Sequence, residues 1–489
     1  MNNRLDLFNL SHFYFFGITL LIGIIAGALT DSIYWYALPL ITLGLYVGIN
    51  SIHTIYYALC FFIPLSVEMN LPGGFGIDFP DELFMVGLML LTIALLLNNS
   101  SNYPQAMHLN PVTSILFIQF IWIVVATLFS SNIIVSLKFT LSKMWYLLTF
   151  VVLSAMIIRT IKDVKIIFWL ITLPLFFTCL YTLARHARSG FSFAEVNHTM
   201  APFFRNHVSY AAMLSEWIPF VLLGFFWYKR YSIGRQLLII ILPVMVIGVF
   251  FSYTRSAWLA LLASLGIQIV IRYKLTKLLS ISAIAGALIL LFIISRDYYY
   301  INYAPNFEST IYHDDLGSHL SSTYKMEDIS SAERIYRWVA GIRMSSAEPI
   351  HGFGPGNFYN FYKSYTVSAF QTYVSANPER STAHNYFILM LVEQGIIGLI
   401  LYTLLTISIF AYGEFLFHRL KEREYRMWLM AIMMSMAAIL VNNTLSDLLE
   451  TDKVGSIYYI NIAMIAVIGY HHHTSEKSSG EKTNVVVKN

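Results

Sequence analysis

Residues 385–413 read NYFILMLVEQGIIGLILYTLLTISIFAYG, and this stretch decides the fold class. It is apolar over almost its whole length, and Glu393 is its one charged residue. A helix needs about 20 such residues to cross the hydrocarbon core of a bilayer, so the stretch predicts a membrane-spanning helix. A charge at that depth is costly unless it is paired or functional, so Glu393 becomes a candidate residue.

The composition of the whole chain extends this prediction. Of its 489 residues, 57% are apolar and only 12% are charged, and the mean hydropathy is +0.63. A soluble protein carries about 25% charged residues, so this supply cannot cover a chain of this size in water. The net charge of +4, without a dense basic run, argues against nucleic-acid binding. The chain is therefore predicted to be an all-α polytopic membrane protein.

Further apolar stretches predict roughly 12 to 14 membrane-spanning helices. Besides 385–413, the predicted spans are 12–30, 33–50, 52–67, 83–98, 111–129, 140–158, 166–184, 208–227, 237–253, 256–272, 278–295, 427–445 and 456–472. The chain is then divided into N-terminal helices (1–295), one large hydrophilic loop (296–384), C-terminal helices (385–473) and a tail (474–489). A loop of that length in a compact protein is usually functional, and we expect it to contain short helices.

The distribution of Lys and Arg predicts the orientation. Basic connections, each separated from the next by a pair of predicted spans, lie at 159–165, 229–235, 272–277 and 419–426. Cytoplasmic loops are enriched in Lys and Arg, so we expect these connections and both chain termini to be cytoplasmic. The opposite, outer face then carries 185–207, 252–256, 296–384 and 443–455.

Several arginines fall on the outer face, against the usual bias. Arg255, in the stretch FSYTRSAWLALL (251–262), lies at a predicted membrane boundary. The others are Arg185, Arg188, Arg205, Arg334, Arg337, Arg343 and Arg380. Guanidinium groups bind phosphates through paired donors, so a cluster of them predicts a phosphate or diphosphate ligand. A single arginine of this kind would more often be an interfacial side chain.

Two motifs supply the remaining candidate residues. The stretch HGFGPGNFY (351–359) places Gly354 and Gly356 in a tight loop whose backbone can approach a ligand, although a simple turn explains the same pattern. His384 and Asn385 stand at the start of the 385–413 helix. A histidine is the usual general base at neutral pH, so His384 is the catalytic candidate. Its structural alternative is a histidine that caps the helix.

Neither the cysteines nor the acidic stretches predict a redox or metal site. Cys60 and Cys179 lie in apolar stretches without CxxC spacing, so we interpret them as core residues. Acidic residues at 78–82 and 313–315 offer oxygen ligands, but they lack convincing ligand spacing, and we interpret both stretches as solvated loops. The sequence therefore predicts no metal site and no cofactor.

Three stretches, in this order, resemble the O-antigen ligase/polymerase family of bacterial envelope glycosyltransferases. They are FSYTRSAWLALL, SSAERIYRWVAGIRMSSAEPIHGFGPGNFY and STAHNYFILMLVEQGIIGLI. The middle stretch has an Arg four residues before a Trp, a Pro-x-x-Gly and a Gly-x-Gly-Asn-Phe. The third has His-Asn, Glu-x-Gly and Gly-Leu. With looser matches upstream, the resemblance covers about residues 110–400.

The resemblance implies a GT-C-like glycosyltransferase of the bacterial inner membrane, with its active face toward the periplasm. The donor would be an undecaprenyl-diphosphate-linked glycan and the acceptor lipid A–core, as in an O-antigen ligase. The alternative is a polymerase that joins lipid-linked repeat units. His384 corresponds to the family's essential histidine, Arg255 and Arg334 to arginines that hold the diphosphate, and Arg205 to a looser matching segment. With a single base, direct displacement would invert the anomeric centre, and guanidinium groups would serve in place of a metal.

The chain departs from the family pattern in two places. Glu348-Pro349 stands where the family often has His-Pro, and TRSAW (254–258) replaces a commoner Ser-Arg-Gly. These departures leave the class of acceptor open.

Two other classes of protein remain in consideration. A transporter or flippase of lipid-linked glycans would show internal repeats and charges at the membrane midplane, whereas the charges here gather on one face. A structural membrane subunit would leave the outer-face arginines unexplained.

Overall fold

The structure is a computed structural model that describes residues 10–30, 35, 51–71, 75–98, 103–107, 110–295, 329–367, 377 and 381–486. Most of the described chain is α-helical. In chain order the helices are α1 (Leu10–Thr30), α2 (Ile52–Phe62), α3 (Asp81–Asn98), α4 (Pro111–Leu128), α5 (Ile133–Tyr146), α6 (Ser154–Ile157), α7 (Ile161–Arg188), α8 (Val196–Met200), α9 (His207–Gly224), α10 (Ile233–Phe251), α11 (Arg255–Arg272), α12 (Thr276–Ser295), α13 (Ile329–Ala347), α14 (Phe358–Phe361), α15 (Tyr386–Arg419), α16 (Arg423–Leu445) and α17 (Asp452–Val486).

Shorter elements connect these helices. A π-helical segment (Leu147–Leu153) joins α5 to α6. The 3-10 turns are Ile63–Leu65, Gln105–Met107, Phe193–Glu195, Tyr362–Tyr365 and Leu448–Glu450. Strands β1 (Val67–Leu71) and β2 (Phe75–Phe79) form an antiparallel hairpin in which Glu68 lies opposite Asp78.

The prediction of an all-α polytopic membrane protein is confirmed. Among the described residues, nine helices are long and apolar enough to cross a membrane, and Gly17–Ala26, Ile52–Leu65 and Thr276–Ile289 are shorter apolar helices. Each predicted span coincides with a helix, except 33–50, which apart from Trp35 lies outside the described residues.

The structure differs from the prediction near both ends of the chain. The span predicted at 52–67 is shorter, because α2 ends at Phe62 and Pro64, which lacks the N–H that a helix requires, follows in a 3-10 turn. The β1–β2 hairpin that comes next is absent from the sequence prediction. At the other end, α17 continues to Val486 through the segment predicted as a tail, since no proline interrupts it.

Helices α16 and α17 form the centre of the bundle. In the apolar stretch of each helix that is long enough to span a membrane, 78% of α16 and 83% of α17 is buried, against 28% of α10 and of α11. Helix α16 packs along α11 and α9, and α15 packs along α4. The outer helices keep apolar side chains exposed, because lipid removes the hydrophobic penalty that water would impose.

The basic connections meet at one end of the bundle. Lys165 Nζ lies 3.2 Å from Glu424 Oε1, which joins 159–165 to 419–426. His418 Nε2 lies 2.9 Å from the carbonyl oxygen of Ile271, which places the 272–277 connection beside them. The structure thus brings together three of the connections that the charge pattern assigns to one face.

The predicted outer loops meet at the opposite end. The hydroxyl of Tyr253 donates to the carbonyl of Phe191 at 2.7 Å, which joins 252–256 to 185–207. Nζ of Lys453 lies 5.2 Å from the ring centroid of Phe204, which joins 443–455 to 185–207. Oδ1 of Asp447 lies 3.7 Å from Nδ1 of His384, which joins 443–455 to the hydrophilic loop. This end of the bundle carries the candidate site.

Candidate active site

His384 occupies the last loop position before α15. Its backbone lies in the left-handed region, with φ 51°, which costs a non-glycine residue about 1–2 kcal/mol. Asn385 caps the helix, because its Oδ1 accepts the N–H groups of Phe387 (3.0 Å) and Ile388 (3.1 Å). Its Nδ2 donates to the carbonyl of Thr444 at 3.1 Å. The cap is therefore Asn385, and the imidazole of His384 is left to interact with other groups.

Three charged side chains act on this imidazole. Nδ1 of His384 lies 3.7 Å from Oδ1 of Asp447. Arg337 and Arg334, which lie three residues apart and so on one face of α13, act on it electrostatically. Burial lowers the pKa of His384, and the two guanidinium groups lower it further. The side chain is 31% exposed, so an uncharged imidazole is accessible at neutral pH and can accept a proton.

Asp447 comes from the connection between α16 and α17. While one oxygen faces His384, the other accepts a hydrogen bond from the hydroxyl of Thr382. Burial raises the pKa of Asp447, and the Thr382 hydrogen bond and the charge of Arg337 oppose this shift. The 3.7 Å separation is an ion-pair distance, and catalytic contacts of this kind often shorten when substrate binds. An acceptor beside Nδ1 favours the tautomer in which Nε2 accepts the proton.

Helix α13 holds the segment that leads to His384. Nη1 of Arg337 donates to Oγ of Ser381 at 2.8 Å and to the next carbonyl at 3.2 Å. Nε1 of Trp338 donates to the carbonyl of Ala383 at 2.9 Å. Arg337 therefore fixes the loop as well as contributing charge. Because α13 lies inside the predicted hydrophilic loop, that loop supplies a part of the site.

Glu393, which lies within α15, anchors the loop of residues 351–359, called the glycine loop below. Its Oε2 accepts the N–H of Gly356 at 2.7 Å, and its Oε1 accepts the N–H of Phe358 at 3.0 Å. Gly354 has φ 94°, and a Cβ there would lie 2.1 Å from Oγ of Ser130. The close approach that the glycines permit is thus to other parts of the protein. Glu393, Gly354 and Gly356 therefore hold the glycine loop in place against the rest of the protein.

The glycine loop docks where α15 is broken. Gly395 has φ 68° and ψ −169°, outside the helical region. The N–H groups of Phe353 and Gly354 in the glycine loop donate to the carbonyls of Val392 (2.9 Å) and Glu393 (3.0 Å), just before this break. The first part of α15 therefore belongs to the site, and the second part packs in the bundle.

A second polar group of side chains lies next to His384. Nζ of Lys143 lies 2.8 Å from Oε2 of Glu450, and the hydroxyl of Tyr386 donates to Oε1 of Glu450 at 2.5 Å. Lys143 also donates to the hydroxyl of Tyr459 at 3.3 Å. Lys143, Tyr386 and Tyr459 line a cavity between α4, α5, α15 and α17.

The sequence prediction omits Asp447, Glu450 and Lys143. Lys143 lies inside a predicted span, where a charge is costly without a partner, and that cost is the signal that could have identified it. Asp447 and Glu450 lie in the outer connection 443–455, and their acidic side chains are the only local signal. Their pairing with residues of α5 and of the segment before α15 depends on how the helices pack.

The structure places the predicted arginines in different groups. Arg334 lies with His384. Arg255 is the first residue of α11. Arg205 acts electrostatically on Asp78 of β2, which belongs to a separate acidic cluster.

The prediction that 78–82 is a solvated loop is wrong. Asp81 is fully buried, and Asp78 and Glu82 lie half-buried beside Asp452 of α17. Helix α17 begins next to the hairpin. Residues that are far apart in sequence therefore shield these carboxylates from solvent. The acidic stretch 313–315 and Arg380 lie outside the described residues.

The geometry around His384 suits one class of chemistry. A neutral imidazole can take a proton from a hydroxyl group, and neighbouring guanidinium groups can stabilise an anionic leaving group. Both groups are held by hydrogen-bonded elements, which reduces the reorganisation that the reaction requires.

A family model matches the part of the chain that carries His384. Residues 237–403 match the family model described as O-antigen ligase. The match runs from α10 into α15 and includes Arg255, Arg334, the glycine loop and His384. It confirms the resemblance drawn from the three sequence stretches. No curated protein sequence matches the chain.

Proposed function

Proceeding from the O-antigen ligase domain at residues 237–403, we propose that the protein transfers a glycan from an undecaprenyl-diphosphate donor to an acceptor such as lipid A–core. The family supports a membrane glycosyltransferase of the O-antigen ligase type. One observation carries the assignment of the site: His384 has a left-handed backbone conformation and interacts with both Asp447 and the guanidinium groups of α13.

In the proposed reaction the acceptor hydroxyl attacks the anomeric carbon of the donor glycan. A bond forms between the hydroxyl oxygen and that carbon, while the bond from the carbon to the diphosphate oxygen breaks. The hydroxyl proton passes to Nε2 of His384, and undecaprenyl diphosphate leaves with the electron pair. A positioned base contributes about 10²- to 10⁴-fold to such a step. A single direct displacement inverts the anomeric centre.

We assign charge stabilisation of the diphosphate first to Arg334. Both Arg334 and Arg337 act electrostatically on the imidazole of His384, and Arg337 also holds the loop before His384 through Nη1. Fixed guanidinium groups can neutralise the developing charge without a metal at the reacting centre. Arg255 and Arg205, from the same end of the bundle, are proposed as further contacts to the donor.

The proposed location is the bacterial inner membrane, with the site toward the periplasm and both termini in the cytoplasm. The clustering of basic connections at the end of the bundle opposite His384 supports this orientation.

The decisive test is glycan transfer by purified protein in lipid nanodiscs. The substrates are an undecaprenyl-diphosphate-linked glycan and lipid A–core. We expect His384→Ala to lower kcat by about 10²- to 10⁴-fold, with a smaller effect on the KM for donor, because a base acts mainly in the transition state. The matched control is His198→Ala, an exposed histidine of an outer loop, which should transfer at the wild-type rate. Wild-type transfer by His384→Ala would defeat the assignment.

The same assay tests the proposed diphosphate site and distinguishes a ligase from a polymerase. Arg334→Gln should raise the KM for donor and lower kcat, whereas Lys363→Gln, which removes an exposed positive charge from the same loop, should change neither. When donor alone is supplied, a lengthened lipid-linked glycan would identify a polymerase. A glycan on lipid A–core would identify a ligase.

A further inference from the structure

Three carboxylates from separate parts of the chain meet at the start of α17. Asp78 lies in β2, Glu82 in the first turn of α3, and Asp452 is the first residue of α17. Oxygens from the three side chains all lie within 4.8 Å of one another. Asp452 begins α17 directly after the connection that carries Asp447 to His384.

These distances suit a single hard cation. Ca²⁺ binds oxygen at about 2.3–2.6 Å, so two oxygens on one ion are separated by at most about 4.6–5.2 Å. The three side chains offer only oxygen atoms, which Ca²⁺ and Mg²⁺ prefer and which are poor ligands for softer metals. The cluster can therefore surround one such ion, with water completing its coordination.

Buried oxygen atoms around the cluster independently indicate a ligand. Oδ1 of Asp452 accepts a hydrogen bond from the hydroxyl of Tyr146, but among the described residues outside the cluster its Oδ2 has no donor. Asp452 is only 8% exposed. Oδ2 of Asp81, a fully buried side chain that interacts electrostatically with Asp452 and Asp78, likewise has no donor among these residues. Buried carboxylate oxygens without donors are strongly destabilising, and a cation would satisfy them.

The nearest ammonium group does not supply these donors. Nζ of Lys453 donates to the carbonyls of Ile63 (3.0 Å) and Ser66 (3.0 Å) and to Oγ of Ser66 (2.6 Å). An ammonium has three donors, so these contacts account for all of them. The charges of Lys453 and Arg205 act on the cluster through space, but the carboxylates outnumber them.

We propose that Asp78, Glu82 and Asp452 bind one hard divalent cation, of the Ca²⁺ or Mg²⁺ class. The cation ties the hairpin and α3 to the start of α17, and so steadies the connection that presents Asp447. It takes no part in the glycan-transfer step, and the proposal does not depend on that function, because it rests on the carboxylate geometry and the buried oxygens.

The test measures cation binding by the full-length protein in detergent, after removal of divalent ions with EDTA. Titration with CaCl₂, and separately with MgCl₂, is followed by calorimetry and by the thermal unfolding temperature, with NaCl of equal ionic strength as the reference. We expect one ion per chain and a Tm that rises with its concentration, since a ligand that binds only the folded state stabilises it. Asp78→Asn and Glu82→Gln should each raise the Kd for the cation by about tenfold or more.

Glu68→Gln is the matched control, because Glu68 is exposed and lies opposite Asp78 in the hairpin. It removes the same charge without removing a ligand, so its Kd should stay within about threefold of wild type. In EDTA, the Asp78 and Glu82 variants should unfold at or above the wild-type Tm, since they relieve repulsion between carboxylates. This keeps the comparison valid if Ca²⁺ binding is lost.

Three results would overturn the proposal. The first is a wild-type protein with no binding heat and no Tm response to either ion beyond that of NaCl. The second is an unchanged Kd in both Asp78→Asn and Glu82→Gln. The third is an equal loss in Glu68→Gln, which would indicate a diffuse charge effect.

Discussion

The chemistry of His384 is set by the groups around it. Its left-handed backbone directs the residue out of the helix that follows, and Asn385 takes over the cap. The guanidinium groups of Arg337 and Arg334 disfavour a charged imidazole. Asp447, on the Nδ1 side, can orient the ring so that Nε2 faces the substrate. These surroundings suit the general-base role that is proposed for His384.

This environment predicts the pH dependence of glycan transfer. An ordinary histidine has a pKa of about 6.5, and a base with that value would lose activity as the pH falls through it. Because the pKa of His384 is lowered in the protein without substrate, the unprotonated form persists, and kcat/KM should stay level from about pH 8 to pH 6. Asp447→Asn should lower this plateau by roughly 10²- to 10⁴-fold through loss of ring orientation. The measurement is kcat/KM across pH for both proteins.

A purely structural role for Asp447 would give a different pattern. It would lower the Tm and the fraction of active protein, with kcat per active molecule unchanged, and Asp447→Glu would rescue nothing. We expect partial rescue by Asp447→Glu and a Tm close to wild type. A wild-type rate that falls by half near pH 6.5 would contradict the lowered pKa of His384.

Two elements with unusual backbone build the frame of the site. Helix α15 is interrupted at Gly395, and the glycine loop fills the interruption by donating N–H groups to the carboxylate of Glu393. Each element needs the other, since the loop supplies the donors that the buried carboxylate requires. This mutual support explains why a charged residue is tolerated in an otherwise apolar helix.

At this level we predict that Gly395→Ala destabilises the protein by about 2–4 kcal/mol, the combined cost of overpacking and of an alanine in a backbone region that is essentially restricted to glycine. A Cβ at this position would lie 2.0 Å from the carbonyl oxygen of Ile350. Thermal or denaturant unfolding in detergent would measure the change. Gly266→Ala is the control, because Gly266 lies in α11 with no atom within 4 Å of an added Cβ. It should be neutral or stabilising by up to about 1 kcal/mol, and equal losses in the two variants would refute the argument.

In the whole molecule, buried polar contacts join helices that are far apart along the chain. The pair Lys143–Glu450 links α5 to the connection before α17, and Tyr386 links the same carboxylate to α15. In a helical membrane protein apolar packing alone discriminates weakly between arrangements, because lipid is as apolar as the core. Polar pairs of this kind therefore help to select one arrangement of the bundle.

A double-mutant cycle tests this role. Lys143→Met alone should destabilise by about 3–5 kcal/mol, because it leaves the carboxylate of Glu450 without its cation. The double variant with Glu450→Gln should cost less than the sum of the single changes, by about 0.5–3 kcal/mol of coupling. Unfolding of the purified variants in detergent supplies the four free energies.

The pair Lys165–Glu424 serves as the control for this cycle. Its side chains are 28% and 54% exposed at a separation of 3.2 Å, so its coupling should be no more than about 1 kcal/mol. Equal coupling in the two pairs would argue that burial of Lys143 adds nothing.

The site shows how far sequence patterns reach. The motifs predict His384 and Arg334 as site residues, and in the structure the charge of Arg334 acts on the imidazole. Arg205 acts electrostatically on Asp78, which belongs to another group of side chains, because its position depends on how the loop before α9 packs. Asp447 was missed, since its partner lies across the α15–α16 helical hairpin.

The amino-acid sequence by itself determined the class of the protein and most of its membrane-spanning helices. A helix crosses lipid only if about 20 consecutive residues are apolar, and that requirement is local, so it can be read along the chain. The tertiary structure alone decided which charges meet: His384 with Asp447, Lys143 with Glu450, and Asp452 with Asp78 and Glu82. Electrostatic interactions depend on distance and burial, and both are set only when the helices pack.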